Sequence, residues 1–320
     1  MPKRRIFTAA GVIPATLLAF DSDFGIDEAA TRGHLRHVAG VEGLSAITVN
    51  GHASEVHACS FDEQRHILEL SLDEVGDRLP LVNGIYADGS LEAARIARMA
   101  EAAGASALLV LPPQSMIMGG QMRPEMALAH FGAIADATDL PIVLFQYPMA
   151  SGLGHSLETL LRLVEAVPSI VAIKDWCNEP MRHEQHIRVL QSLPRPVSVL
   201  TTHSSWLMAS LTMGAAGLLS GAGSVIAALQ VELFRAVQAK DMARAQAVND
   251  RIYPVAQAFY TAPFLDMHNR MKECLVMQGL IPRAVVRPPL VKLAEGEIAG
   301  LRRAMTAAGL LPSSVADAAE

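Results

Sequence analysis

Short apolar runs alternate with longer amphipathic segments along the first 240 residues of the chain. The runs have the length and the continuous apolar character of parallel strands buried on both faces, and the segments between them have helical periodicity. The predicted strands are 11–18, 44–49, 79–85, 107–111, 141–146, 169–174, 197–201 and 216–220. Each is followed by a predicted helix: 27–40, 61–75, 90–104, 123–137, 156–167, 181–193, and one after each of the last two strands. Eight strand-helix pairs without a G-x-G-x-x-G turn predict an α/β protein of the (β/α)8 TIM barrel type rather than an open doubly wound sheet.

From Asp241 onward the pattern is purely helical, with segments near 242–260, 265–278 and 295–308. We therefore expect a barrel domain at 1–240 and a C-terminal helical domain at 241–320. Local signals agree with the helix ends. Asp27 is placed as an N-cap, and Gly40, Gly104 and Gly214 each stand just before a new apolar run, where glycine favours a left-handed C-cap.

Composition and charge exclude several classes of protein. The chain has 320 residues, 51% of them hydrophobic, and a net charge of -6 without a basic stripe, which argues against nucleic-acid binding. No apolar run predicts a membrane span. Three widely spaced cysteines indicate neither a disulfide framework nor a paired-thiolate metal site, so we expect a cytoplasmic protein without metal or cofactor.

Two local patterns have a less obvious interpretation. The N-terminal residues Lys3-Arg4-Arg5 and the apolar stretch to Phe20 superficially resemble an export signal, but Pro14 interrupts that stretch and no cleavage site follows, so a first buried strand is the better reading. The histidine pairs His34/His37 and His183/His186 are interpreted as solvated helix faces, because their spacing is one short of the metalloprotease pattern.

The sixth predicted strand ends in Lys174, the only lysine between positions 3 and 240 in a chain where five of 26 basic residues are lysines. Arginine cannot lose its proton in a protein, whereas a desolvated lysine amine can act as a nucleophile toward a carbonyl. Strand ends facing the βα loops form the active site of such barrels. A Schiff-base role is one interpretation; a lysine that reaches solvent or pairs with Asp175 is the other.

Four segments, taken together, carry a family resemblance: Gly11–Ala15 with Phe20; Gly51-His52-Ala53-Ser54-Glu55; Ala172-Ile173-Lys174-Asp175; and Lys272 with 275–279 and Arg287-Pro288-Pro289-Leu290. They resemble the dihydrodipicolinate synthase and N-acetylneuraminate lyase superfamily of class I, Schiff-base-forming lyases, over most of the chain. The resemblance implies a barrel with a helical tail, Lys174 as the Schiff-base lysine, and a homotetramer or homodimer.

The chain departs from this family at the proton relay. The family tyrosine of the fifth strand is matched by Phe145, although Tyr147, two residues on, shares its strand face and is a candidate replacement. The adjacent threonines that hold the keto acid's carboxylate are matched by His52 and Ala53, and His52 is a candidate acid or base. The residues expected to line the substrate are Gly51, Ala53, Ser54, Phe145, Ser220 and Gly221.

The synthase's arginine and its fourth-strand tyrosine are matched by Ala150 and Gln114, so we do not expect the lysine-pathway synthase. Neutral or apolar residues at Pro113, Met116, Met118, Phe145 and Ala150 predict a distal pocket suited to an aromatic or aliphatic aldehyde. The predicted function is therefore an aldolase or hydratase-aldolase acting on a 2-keto acid such as pyruvate and an aldehyde. A dehydratase of a sugar-derived 2-keto-3-deoxy acid and a non-catalytic binding homologue are the alternatives.

Overall fold

The computed structural model describes residues 5–312, in which eight parallel strands form a nearly closed barrel. The strands are β1 Gly11–Pro14, β2 Ile47–Val49, β3 Leu81–Ile85, β4 Ala107–Val110, β5 Ile142–Gln146, β6 Ile170–Asp175, β7 Ser198–Thr201 and β8 Gly217–Ser220. They are ordered β1-β8-β7-β6-β5-β4-β3-β2, and single bridges from Val12 to Leu44 and from Ala15 to Thr48 connect β1 to the segment of β2. The predicted TIM barrel is confirmed, and its first strand begins at the glycine where the sequence placed it.

Helices cover the barrel and form the C-terminal extension. They are α1 Glu28–Ala39, α2 Phe61–Val75, α3 Ser90–Ala103, α4 Pro124–Ala135, α5 Leu157–Ala166, α6 Pro180–Leu190, α7 Leu207–Thr212, α8 Gly223–Gln238, α9 Met242–Phe259, α10 Met267–Met277 and α11 Glu295–Ala307. Helix α9 packs against α8 and α11, which joins the extension to the barrel. The domain division at residue 240 stays a prediction.

Three of the four helix caps named from the sequence are confirmed. The Asp27 carboxylate accepts a hydrogen bond from the backbone N–H of Ala30 at 3.0 Å, and Gly104 and Gly214 have φ of 110° and 104°, the left-handed values expected of a C-cap. Gly40 does not: its φ is -72°, and its N–H continues the helical pattern by donating to Arg36 O. The prediction for Gly40 was wrong because the chain leaves α1 through a further right-handed turn.

The interpretation of the histidine pairs as solvated was also wrong. His37 is exposed, but His34 is buried beside it, and His183 and His186 are both fully buried between α6 and β6. Each pair lies on one helix face, as its spacing indicates, yet in α6 that face is turned toward the strand that carries Asp175. None of the described helices is long and apolar enough to cross a membrane.

A buried ion pair fastens the C-terminal extension to the loop after β2. Lys272 Nζ of α10 donates to Glu55 Oε1 at 2.5 Å and to Val285 O, and the N–H of Arg287 donates to Glu55 Oε2 at 3.0 Å. Both side chains of the pair are completely buried. Two segments of the sequence resemblance, 51–55 and the C-terminal signature, therefore meet at one carboxylate, which fixes the loop that presents His52.

Candidate active site

Lys174 lies near the carboxyl end of β6, where its register partners are Phe145 on β5 and Leu200 on β7. Its side chain is 5% exposed, and burial lowers the pKa of its amine to about 7. Nζ lies 4.1 Å from the centroid of the Phe145 ring, and within residues 5–312 no carboxylate forms an ion pair with it. The alternative interpretations, reaching solvent or pairing with Asp175, do not describe this side chain, because Asp175 is turned the other way toward α6.

His52 and Tyr147 face each other beside Phe145. His52 opens the short 3-10 turn His52–Ser54 after β2, and Tyr147 follows β5 directly. The Tyr147 hydroxyl oxygen is 3.0 Å from His52 Nε2, and the rings of Phe145 and Tyr147 are 4.6 Å apart. Burial and the charge of Lys174 lower the pKa of His52 well below its ordinary value, and burial raises the pKa of Tyr147. Both groups are therefore neutral near pH 7.

A cavity of about 210 Å³ opens above these residues at the carboxyl end of the barrel. It is lined by His52, Phe145, Lys174, Trp176, Asn178, Thr202, His203, Ser204, Ser205, Gly221, Tyr260, Phe264 and Met267. One wall is aromatic: Trp176 stacks on Phe264 at 4.8 Å, and Phe264 stacks on Tyr260 at 5.5 Å. Among the described lining residues, Lys174 is the only one whose side chain carries a permanent or readily acquired charge near pH 7.

Some of the predicted site residues line the cavity, and others lie behind its surface. Lys174, His52, Phe145 and Gly221 line the cavity, and Tyr147 contacts it through His52. Ser54 does not: its hydroxyl donates to Thr16 O and is buried.

The remaining predicted residues lie behind the cavity surface. The Ser220 hydroxyl is hydrogen-bonded to that of Ser204, which lines the cavity. Gly51 is buried against Thr48 and Leu109, and Ala53 packs near Gly221. The binding roles assigned to these four residues, which include Ser54, stay predictions.

The distal wall comes from residues that the sequence reasoning missed. Pro113, Met116, Met118 and Ala150 do not line the cavity; Trp176 and the tail residues Tyr260, Phe264 and Met267 do. Trp176 could have been found, since it directly follows the strand that ends in Lys174 and Asp175. The tail residues carried no signal, because their position depends on how the helical extension folds back over the barrel.

A second cluster of polar side chains lies between β6 and α6. Asp175 Oδ2 accepts hydrogen bonds from Nδ1 of His183 and of His186, both at 2.8 Å, and Oδ1 accepts from the N–H of Cys177. Although burial opposes ionisation, the bonds from the two histidines hold the pKa of Asp175 well below its usual range.

Four of the side chains in and beside this cluster are potential metal ligands. Asp175, Cys177, His183 and His203 bring donor atoms within 4.8 Å of one another and could hold a metal ion. However, His183 already uses both ring nitrogens, through Asp175 and Ser210, and burial raises the pKa of the Cys177 thiol, so these groups act as a hydrogen-bonded support for the loop after β6. The buried Nε2 of His186 has no described hydrogen-bond partner.

A (β/α)8 barrel whose sixth strand carries a desolvated lysine into a cavity at the carboxyl end defines a lyase of the class I aldolase type. The family can be stated more narrowly. The chain belongs to the dihydrodipicolinate synthetase family, whose model matches residues 8–308.

Individual relatives agree with this assignment. The 4-hydroxy-tetrahydrodipicolinate synthase of Methanopyrus kandleri is 28% identical over 96% of this chain and 98% of its own length. That of Symbiobacterium thermophilum is 32% identical over 85% and 88%. Among solved structures, YagE of E. coli K12, a family member determined in complex with pyruvate, superposes with a TM-score of 0.84 over 94% of this chain and 100% of its own, at 22% identity. This last likeness concerns the fold.

Proposed function

We propose that the protein is a Schiff-base-forming lyase that joins or cleaves a 2-keto acid such as pyruvate and an aldehyde, and that it is not the lysine-pathway synthase. The observation that carries the proposal is the Lys174 amine, buried at the cavity, unpaired by any described carboxylate and with a pKa of about 7. The other buried lysine, Lys272, has the opposite environment, since Glu55 and Val285 O occupy its ammonium group. Among the lysines of residues 5–312, only Lys174 combines an available neutral amine with open space.

The chemistry follows from that amine. Neutral Lys174 adds to the C2 carbonyl of the keto acid, and loss of water gives an imine whose protonated form accepts the electron pair of the C3–C4 bond. Each step moves a proton, and the hydrogen-bonded pair of His52 and Tyr147, which packs against the same Phe145 ring as Lys174, can carry one. Phe145 stands where the family has its relay tyrosine and supplies a ring face to Lys174 instead.

The cavity favours a neutral, apolar partner for the keto acid. Trp176 and Phe264 offer broad aromatic surfaces, and no described arginine lines the cavity to bind a second carboxylate. An aromatic or aliphatic aldehyde fits this lining better than a carboxylated one. A dehydratase of a sugar-derived keto acid would require several hydroxyl partners, which Asn178, Thr202 and Ser205 could supply, so the aromatic stack is the observation that favours the aldehyde.

Borohydride trapping tests the proposal. Incubation with pyruvate and borohydride should add one reduced pyruvate per chain, and peptide mapping should find it on Lys174 and not on Lys272. Lys174→Arg should abolish the label, because a guanidinium does not form the imine. An unlabelled wild-type protein across a panel of 2-keto acids would refute the Schiff-base function and favour a binding homologue.

The partner is then found by condensation assays. With pyruvate present, benzaldehyde or an aliphatic aldehyde should be consumed, whereas aspartate semialdehyde should not. Rapid turnover of aspartate semialdehyde would instead make the protein a lysine-pathway synthase. Loss of water from a 2-keto-3-deoxy sugar acid without aldehyde formation would establish the dehydratase.

A further inference from the structure

His203, two residues beyond the end of β7, lines the cavity, and contacts with the surrounding protein fix the orientation of its ring. It is 3% exposed, its ring stacks on Trp206 at 4.1 Å, and the edge of His183 lies against it at 5.7 Å. Its Nε2 accepts the backbone N–H of Asn178 at 3.3 Å. Burial, only partly opposed by the charge of Asp175, lowers the pKa of His203 to about 3, so the ring is neutral at physiological pH.

These contacts determine which nitrogen carries the proton. A neutral imidazole has one N–H, and a nitrogen that accepts a hydrogen bond cannot be the one that bears it. Because Nε2 accepts from Asn178, the proton is on Nδ1. Within residues 5–312 no group accepts from Nδ1, this atom is not completely buried, and the residue lines the cavity, which makes Nδ1 the ring nitrogen available to a ligand there. His203 therefore presents a fixed hydrogen-bond donor to whatever the cavity holds.

The position of this donor indicates which substrate oxygen it meets. Lys174 pairs in register with Leu200 and Asp175 with Thr201, so the backbone of His203 lies further toward the mouth of the barrel than the backbone of Lys174. An aldol product whose C2 is bound to Lys174 extends from the amine into the cavity, which His203 and Trp176 both line.

We propose that Nδ1–H of His203 donates a hydrogen bond to the oxygen on C4, which is the carbonyl oxygen of the aldehyde in the condensation direction. This assignment rests on the proposed function. As the enamine carbon attacks the aldehyde, the C3–C4 bond forms and the carbonyl electron pair moves onto that oxygen. The donor stabilises the developing negative charge and keeps its own proton. The proton that completes the C4 hydroxyl comes from the hydrogen-bonded pair of His52 and Tyr147. Cleavage runs through the same steps in reverse.

The test uses two variants and two probes that differ in one oxygen. His203→Leu removes the donor, and His203→Asn places an amide N–H near the position of Nδ1. The probes are 4-hydroxy-2-oxo-4-phenylbutanoate as cleavage substrate and 2-oxo-4-phenylbutanoate, which lacks the C4 oxygen, as competitive inhibitor.

For His203→Leu, kcat/KM for cleavage should fall roughly 100-fold, as for loss of one oxyanion donor, while the inhibition constant of the deoxy probe changes less than about threefold. His203→Asn should recover about tenfold of the loss. The proposal would be overturned if His203→Leu cleaved the substrate at the wild-type rate. It would also be overturned if the inhibition constant of the deoxy probe rose as much as kcat/KM fell, because that result indicates a collapsed loop. Pyruvate trapping distinguishes failure of the His203 proposal from failure of the proposed function. If Lys174 is trapped in both wild type and variant and cleavage is unchanged, only the role of His203 is refuted. If the wild type is not trapped, both proposals are refuted.

Discussion

The hydroxyl of Tyr147 lies 3.0 Å from Nε2 of His52, although the two residues are separated by 95 positions in the chain. One follows β5 and the other follows β2, so the barrel mouth brings them together. Burial keeps both neutral, by raising the pKa of the phenol and lowering that of the imidazole. A neutral phenol next to a neutral imidazole can pass a proton on without leaving a buried charge at rest, which is the property that imine chemistry at Lys174 requires.

This pair gives the first prediction. Tyr147→Phe or His52→Ala should slow turnover of an established substrate by at least ~100-fold, because a positioned acid-base group typically contributes that much. Borohydride trapping on Lys174 should remain partly intact, since binding and imine formation are less demanding. Tyr86→Phe is the matched control: its ring is 6.2 Å from His52, but the described contacts include no hydrogen bond between the two. If both relay variants turn over at the wild-type rate, the proton is carried by bound water or by the substrate.

The second prediction is the pH dependence of imine formation. The Lys174 amine must be neutral to attack, and its pKa is about 7, so the trapping rate should fall about tenfold per pH unit well below pH 7 and level off above it. Phe145→Leu removes the ring face that favours the charged ammonium, which should lower the pKa of Lys174 by roughly half a unit to one unit. The pH at which the trapping rate begins to fall should move down by the same amount. A rate that still rises up to pH 10 would mean that Lys174 titrates as an ordinary lysine.

Much of this site could be predicted from sequence because strand patterns fix the position of a residue along the barrel. The apolar run that ends in Lys174 was enough to place its amine at the carboxyl end, and the spacing of Phe145 and Tyr147 was enough to put their rings on one face. Both inferences need only local geometry.

Other features depend on tertiary packing that no local pattern reports. The spacing of His183 and His186 indicates one helix face, but only the strand opposite, with Asp175, determines that this face is buried. Likewise Phe264 reaches Trp176 because the extension folds across the barrel mouth, and the two residues are 88 positions apart in a sequence that gives no signal of that contact.

The third prediction concerns the buried pair of Glu55 and Lys272. Glu55→Gln or Lys272→Met alone should lower the free energy of unfolding by about 3–5 kcal/mol, because each leaves one buried charge uncompensated. The double variant should cost less than the sum of the two. Chemical denaturation measures the stability of all three variants. The control is Glu92→Gln, whose pair with Arg95 is at the surface and which should change stability by less than about 0.5 kcal/mol. Additive losses would mean that the two charges do not interact.

The fourth prediction is self-association. Ile117, Met118 and Met122 on the loop after β4 are strongly exposed, and contiguous apolar surface of this kind is typical of an interface. The protein should sediment as a dimer or tetramer, in agreement with the family resemblance, and Met118→Glu with Met122→Glu should weaken the assembly. Met181→Glu, equally exposed but on α6, is the control. A wild-type monomer at micromolar concentration would contradict the prediction.

The last prediction is that the reactive lysine costs stability. Burial lowers the pKa of Lys174 from 10.5 to about 7, so at or below neutral pH the folded protein holds an ammonium that the unfolded chain solvates better. Lys174→Met, which keeps the length of the side chain without its charge, should therefore unfold at a higher temperature than the wild type at pH 6. We expect a gain of about 1–3 kcal/mol, less than the full pKa shift implies, because the Phe145 ring and the cavity partly stabilise the charge.

The stability advantage of Lys174→Met over the wild type should depend on pH. Between pH 7 and 10.5 the folded protein releases the proton while the unfolded chain retains it, so the wild type gains stability and the advantage of Lys174→Met shrinks across that interval. Thermal unfolding of both proteins at pH 6, 8 and 10 measures the convergence. Lys292→Met, on the exposed surface, should give parallel curves. A Lys174→Met variant less stable than the wild type at pH 6 would show that the ammonium is paired in the folded protein, and the nucleophile would then have to be sought elsewhere.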